Sequence, residues 1–265
     1  MKSLLTVDGV SLAFGGLQVL DDVGFEVAEG SITSVVGPNG AGKTSLFNVI
    51  GGFYRPSRGS VRLAGRDLTR LPPHRRAALG MGRTFQNIAL YRGLSVLDNI
   101  KLGAHPQVGA GVLAAGFRTP WARREELQLR ERVEREIIDF LEIEHIRDLP
   151  VGSLPYGLQK RVELARALAL EPKLLLLDEP VAGMNREETE DMARFVLDLV
   201  EERGITVLLV EHDMGVVMDL SDHVVVLNFG RVIARGRPRE VARHPEVVRA
   251  YLGTKGAEGA AAWIS

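Results

Sequence analysis

The chain has 265 residues, enough for one large domain or one domain with an appended lobe. Its 45% hydrophobic and 25% charged residues are those of a folded globular protein and exclude disordered or collagen-like chains. Lys and Arg number 33 against 34 Asp and Glu, so nothing selects a nucleic-acid partner, and the absence of cysteine excludes disulfides and thiolate metal sites.

The first residues, Met1 to Gly9, lack an apolar stretch of signal-peptide length. No run reaches the roughly 18 apolar residues of a membrane span. The expectation is a chain that does not cross a membrane and that another protein must anchor if it works there. Leu4 to Val27 is a set of short apolar runs interrupted by Asp8-Gly9, Gly15-Gly16 and Asp21-Asp22, which predicts strands joined by tight turns. Val61 to Gly65 reads as another strand of that set.

Ser31 to Val36 is a short apolar strand that runs into Gly37-Pro38-Asn39-Gly40-Ala41-Gly42-Lys43-Thr44. This fits G-x-x-x-x-G-K-[ST] without a gap, and Leu46, Phe47, Val49 and Ile50 after it suit a helix. Strand, loop and helix are the setting that a phosphate-binding loop needs. Glycines let backbone N–H groups converge on a triphosphate, and the helix turns its positive end to the same place. Lys43 would add a point charge near the β- and γ-phosphates, Thr44 would offer its hydroxyl to Mg²⁺, and Ser45 would join the nucleotide contacts. The loop alone implies a P-loop NTPase and does not separate transporters from kinases, GTPases or helicases.

Gly109 to Gly116 reads as a Gly/Ala-rich excursion. Arg123 to Ile143 is the clearest amphipathic helix, with Leu129, Val133, Ile137 and Phe140/Leu141 at spacings of three and four between charged residues. Leu174 to Leu177 and Thr206 to Val210 are unalternating apolar runs, which predict strands of a parallel sheet buried on both faces and flanked by helices. Arg186 to Arg203 is the crossover helix between them. Asp178 closes the first run, where a carboxylate beside a phosphate loop can hold Mg²⁺ directly or through water. The next residue, Glu179, can take a proton from an attacking water. Val224 to Leu227 and Val232 to Ala234 flank Asn228-Phe229-Gly230 and predict a hairpin. The stretch from Gly253 is Gly/Ala-rich, a tail.

These motifs, in this order, resemble the ABC ATPase family over nearly the whole chain. Thr84-Phe85-Gln86-Asn87 is similar to the Q-loop, and Leu154-Pro155-Tyr156-Gly157-Leu158-Gln159 to the signature motif. Leu174 to Glu179 resembles the Walker B strand, and Val181 to Asn185 stands in the D-loop place. His212 stands in the switch-histidine place, and Phe14 where the family stacks an aromatic on adenine. The resemblance implies an α/β fold. Its P-loop NTPase core has a mostly parallel sheet, an N-terminal antiparallel β subdomain and an inserted α-helical subdomain at about 88–168. The single domain would span 1–253, followed by a flexible tail at 254–265.

The same resemblance implies that Gln86 touches Mg²⁺ or the attacking water, that Glu179 is the general base and that His212 contacts the γ-phosphate. It implies ATP and Mg²⁺ as cofactors, with Thr44, Gln86 and Asp178 around the metal. The signature of one subunit would cap the ATP of a second ABC ATPase, alike or different. Gln86 to Ile100 and the excursion to Trp121 would press on transmembrane permease subunits. The place implied is the cytoplasmic face of the cell membrane, with a secreted substrate-binding protein as an indirect partner.

Within the family the chain is most similar to the ATPases of branched-chain (hydrophobic) amino-acid importers. The residues behind this are Arg83 to Asn87, Tyr156-Gly157, Ala182 to Asn185, Glu211 to Met214 and Pro245 to Gly253. Importers of urea, amides or aromatic acids share much of the pattern, and a soluble ABC ATPase of DNA repair or translation is the alternative from another class. The signature departs from Leu-Ser-Gly-Gly-Gln: Pro155 replaces the serine, Tyr156 the first glycine, and Leu158 stands in the last place. Proline offers neither hydroxyl nor N–H to a γ-phosphate, whereas Gly157 keeps backbone approach open. ATP capped by this signature would then be held or hydrolysed less well than ATP on this chain's own loop.

Overall fold

In the computed structural model, residues 2–86, 88–104 and 120–255 are described. A four-stranded antiparallel sheet, in the order β2-β1-β4-β5, is built from β1 (Ser3–Phe14), β2 (Leu17–Ala28), β4 (Arg58–Leu63) and β5 (Arg66–Asp67). Of the three breaks between Leu4 and Val27, only Gly15-Gly16 turns the chain, with φ 52° and 88°. Asp8-Gly9 and Asp21-Asp22, read above as turns, are bulges inside long strands. Val7 and Val10 pair with Phe25 and Val23, so β1 carries an extra residue, and Leu12 then pairs with Leu20, so β2 carries the next one. The left-handed Gly9 (φ 58°) and Asp22 (φ 52°) absorb the offset.

The second sheet has the order β10-β9-β3-β8-β7-β6. Its strands are β3 (Ile32–Val36), β6 (Met81–Arg83), β7 (Leu174–Asp178), β8 (Thr206–Val210), β9 (His223–Asn228) and β10 (Arg231–Gly236). All neighbours are parallel except β9 and β10, the expected hairpin. Its turn is Phe229-Gly230, with φ 45° and 76°, the doubly positive pair that matches strand twist.

Every residue of β3, β7 and β8 is buried, as the unalternating runs predict. The two faces have different partners. Leu175 and Leu177 point into a core shared with α3 (Val96–Gly103), α5 (Tyr156–Leu168) and α6 (Arg186–Glu201). Leu174 and Leu176 point into a core shared with α1 (Lys43–Gly51) and the antiparallel sheet, so this face is covered by a helix and a second sheet together. Each buried leucine contributes about 1.5–3 kcal/mol.

The amphipathic segment is α-helical as α4 (Pro120–Val133) and continues as a π turn over Glu134–Ile138. Phe140 and Leu141 fall beyond it, where Glu142, at φ 56°, ends the run. Val133, Ile137 and Leu141 still reach the helical core, so the period held where the helix type did not. The crossover α6 opens with a capping box between Asn185 and Glu188.

Arg76, in α2 (Pro73–Ala77), is 2% exposed and donates to the carbonyls of Val49, Ile50 and Leu71. It thus satisfies the last turn of α1 and opposes that helix's negative end. Burial lowers its pKa to about 10, which leaves it charged at neutral pH. The chain closes with α7 (Met214–Leu220), α8 (Pro238–Val241) and α9 (Pro245–Lys255). Helix α9 extends past Gly253 to Lys255, while Asn87, Gly109 to Gly116 and residues 256–265 lie outside the described residues. Among the described residues no helix is long and apolar enough to cross a membrane.

Candidate functional site

Strand β3 ends at Val36, and α1 starts at Lys43 with Gly42 as its left-handed N-cap, φ 103°. The first N–H groups of α1 have no intrahelical partner and are available to an anion, as the motif predicts. The loop's glycines also have a second reason. A Cβ on Gly37 would lie 2.1 Å from the Leu227 carbonyl oxygen, and one on Gly42 2.9 Å from a Leu20 methyl. The loop is therefore seated against β9 and β2 by its own lack of side chains, apart from any clearance for phosphate. The hairpin turn holds it from behind, since Gly230 N–H donates to the Ala41 carbonyl at 2.9 Å.

Lys43 is 9% exposed, and its ammonium donates to the carbonyls of Gly37 and Pro38. Burial pulls its pKa down, and the charges of Glu179 and Asp178 pull it back up. Those two carboxylates therefore act on the loop's cation. The C-terminal helices contribute too. Val241 and Val247 pack with Val36. Tyr251 accepts a hydrogen bond from Gly37 N–H, and burial raises the phenol's pKa despite that bond.

Asp178 ends β7 and pairs with Arg83 on the neighbouring β6 at 3.2 Å, both side chains less than a tenth exposed. Burial raises the Asp178 pKa, and Arg83 opposes it. Arg83 also donates to Asn48 Oδ1 and to the Phe47 carbonyl, and its guanidinium lies 5.1–5.9 Å from the rings of Phe47, Phe53 and Phe85. Sequence reasoning used Arg83 only as part of a family pattern. Its pairing with the end of β7 depends on strand order, which no local signal reveals.

The next residue, Glu179, has φ 50°, a left-handed conformation that costs a non-glycine residue about 1–3 kcal/mol. Gln86 Nε2 donates to Glu179 Oε2 at 3.2 Å, and His212 Nδ1 lies 3.8 Å from the same oxygen. The structure thus brings together the three residues that the sequence nominated from positions far apart. It also adds Glu211, fully buried, which accepts from the N–H groups of Val181, His212 and Asp213. That carboxylate ties the D-loop place to the switch-histidine loop. A buried strand ending in a charge was the available signal.

The chain as a whole is similar to known proteins. The ABC transporter family matches residues 20–182. The chain is 40% identical over 252 residues to the high-affinity branched-chain amino acid transport ATP-binding protein BraF of Pseudomonas aeruginosa, covering 95% of this chain and 98% of that protein. The chain belongs to the ABC transporter family. It is an ATPase cassette of that family. A second match, to the branched-chain amino acid ATP-binding cassette transporter family, covers residues 231–257, a stretch from which Ala234, Val241, Ala242 and Val247 pack with Val36.

Among solved structures, an ATP-binding cassette of an ABC transporter in its ADP conformation has a TM-score of 0.82 at 34% identity, covering 96% of this chain and 100% of that one. A bacterial ABC transporter cassette whose structure is dimeric has a TM-score of 0.74 at 25% identity, covering 88% and 98%.

The remaining motifs of this cassette sit at the surface or close to it. Phe14, at the β1–β2 turn, is 45% exposed and meets Tyr54 edge to face at 5.2 Å. Pro155 is the N-cap of α5 and makes no side-chain capping bond, a place where serine would make one. Tyr156 is exposed, its ring against Gly183. A Cβ on Gly157 would lie 2.2 Å from Glu188 Oε1, the end of a side chain that would have to move aside. Leu158 packs on the helical core, and Gln159 Nε2 donates to the Leu154 carbonyl at 2.8 Å.

Proposed function

We propose that this cassette hydrolyses Mg²⁺-ATP at the site formed by Gly37 to Thr44, Asp178 and Glu179, and that it powers import of branched-chain or other hydrophobic amino acids. The observation that carries the catalytic part is the convergence of Gln86 and His212 on one oxygen of Glu179. That carboxylate follows the strand whose last residue, Asp178, acts electrostatically on Lys43.

The β- and γ-phosphates take the N–H groups at the start of α1, and the Lys43 ammonium turns from the loop carbonyls to phosphate oxygens. Thr44, Asp178 and Gln86 offer only oxygen donors to a cation, a hard set that suits Mg²⁺ with its retained waters. Bound there, Mg²⁺ neutralises phosphate charge. Glu179 accepts the proton of a water aligned by Gln86, and His212 holds the γ-phosphate in line. Phe14, exposed beside Tyr54, stacks on adenine.

The signature of a second cassette completes the site, and this chain's Leu154 to Gln159 caps the nucleotide of that partner. The dimeric relative supports this arrangement. Permease subunits hold the pair at the cytoplasmic face of the membrane, and a secreted binding protein delivers substrate to them. The amino-acid class rests on the relatives' names and on the C-terminal match. Replacing Glu179 with Gln should lower steady-state ATP hydrolysis by roughly 10²–10⁴-fold while nucleotide affinity stays within a few-fold. Turnover close to that of the parent would end the general-base assignment. With its permeases in vesicles, the cassette should drive uptake of radiolabelled leucine or isoleucine; uptake of urea or an aromatic acid alone would overturn the substrate reading.

A further inference from the structure

Helix α5, which follows the signature, carries three charged side chains at a spacing of three: Lys160, Glu163 and Arg166. Each is bonded to the main chain around Gln86. Lys160 Nζ donates to the Gln86 carbonyl at 3.2 Å, Glu163 Oε1 accepts from Phe85 N–H at 3.2 Å, and Arg166 Nη1 donates to the Ala89 carbonyl. Lys160 and Glu163 are 3% and 1% exposed. A lysine that deep is costly unless its ammonium is well used, and an apolar residue would fill the same space at lower cost.

Lys160 has a second acceptor, the carbonyl of Glu179 at 3.4 Å. That peptide is the left-handed one. Its N–H donates to Val210 at 2.9 Å, and its carbonyl takes Ala182 N–H at 3.3 Å as well as the lysine. One ammonium therefore holds the main chain of Gln86 and of Glu179, the two residues whose side chains then meet at 3.2 Å.

We infer that Lys160 is a positioning residue for the hydrolytic reaction: it ties the signature helix to the strained peptide of Glu179 and to Gln86. Through it, a displacement of α5 as the signature closes on the partner's nucleotide is delivered to the carboxylate of this chain's own site. Glu163 and Arg166 keep the Gln86 segment moving with the helix. This inference rests on the assignment of Glu179 as general base.

The test uses the full-length chain with Mg²⁺-ATP and measures both nucleotide affinity and steady-state kinetics. Lys160→Met should leave nucleotide affinity within about three-fold and lower kcat by about 10–100-fold, the scale of an ångström misplacement of a reacting group. Lys160→Arg, which keeps donors at similar reach, should restore kcat to within about three-fold of the parent. Because the lysine acts through Glu179, Lys160→Met added to Glu179→Gln should slow the reaction little further.

A parental kcat in Lys160→Met, or an equal fractional loss in the Glu179→Gln background, overturns the inference. Should the methionine variant melt below the assay temperature, Lys160→Gln is measured with the same criteria. Normal turnover in Glu179→Gln would instead refute the general-base assignment, so the two failures are distinct.

Discussion

Replacing Arg83 with Met tests how the aspartate of β7 is held. The pair is 3.2 Å apart, with side chains 9% and 4% exposed, so solvent screens it little. Removing one partner of a buried pair costs about 3–5 kcal/mol, because the other charge is left without compensation. Here the variant also forfeits the bonds to Asn48 and the Phe47 carbonyl and the contact with the Phe47, Phe53 and Phe85 rings. Methionine among those rings returns a fraction of this through sulfur–aromatic contact. At about 2–4 °C per kcal/mol for a domain of this size, Tm should fall by roughly 6–20 °C. Urea unfolding of Arg83→Met, Asp178→Asn and the double variant gives the cycle. The double variant should be more stable than additivity predicts by about 1–3 kcal/mol, since the neutral amide no longer needs the guanidinium. A loss under about 1 kcal/mol for Arg83→Met, or strict additivity, would refute the reasoning.

Glu211 gives a pH dependence. Burial raises its carboxyl pKa, against the Val181, His212 and Asp213 N–H groups that favour the anion. Above the unfolded value of about 4.3, the folded protein keeps a proton that the unfolded chain has released. Its contribution to stability therefore falls as pH rises through that window. The stability cost of Glu211→Gln, from urea melts, should shrink as pH rises from about 5 to 7; a cost that grows would contradict this. Pro155→Ser supplies the missing cap of α5 and should raise Tm by about 2–4 °C for about 1 kcal/mol, while speeding hydrolysis of the ATP that the signature caps in the assembled transporter. An unchanged Tm would show that the helix start is already satisfied. Phe14→Ala should weaken ATP binding by about 2–10-fold, the worth of one aromatic stack, and Phe14→Tyr should not; equal affinities measured by calorimetry would move the adenine elsewhere.

The sequence by itself determined the elements whose signal is local. The phosphate loop needs contiguous residues, so Gly37 to Thr44 was legible in one pass. The buried strands β7 and β8 announced themselves as four consecutive apolar residues without alternation, and the paired Asp178-Glu179 stood at the end of the first. Gln86 and His212 were legible only in order with the other motifs, since either alone is an ordinary polar residue.

Tertiary structure alone decided where long-range main-chain groups end up. A bulge at Asp8-Gly9 and a turn share the same residue preferences, and pairing with a partner strand separates them. Arg83 reaches a residue 95 positions away, and Lys160 reaches carbonyls 74 and 19 positions away. On a helix pattern such charges count as a solvated face. What buries them is the supply of carbonyls, carboxylates and rings from other segments. That supply depends on strand order and helix packing, which residue type and spacing along the chain do not encode.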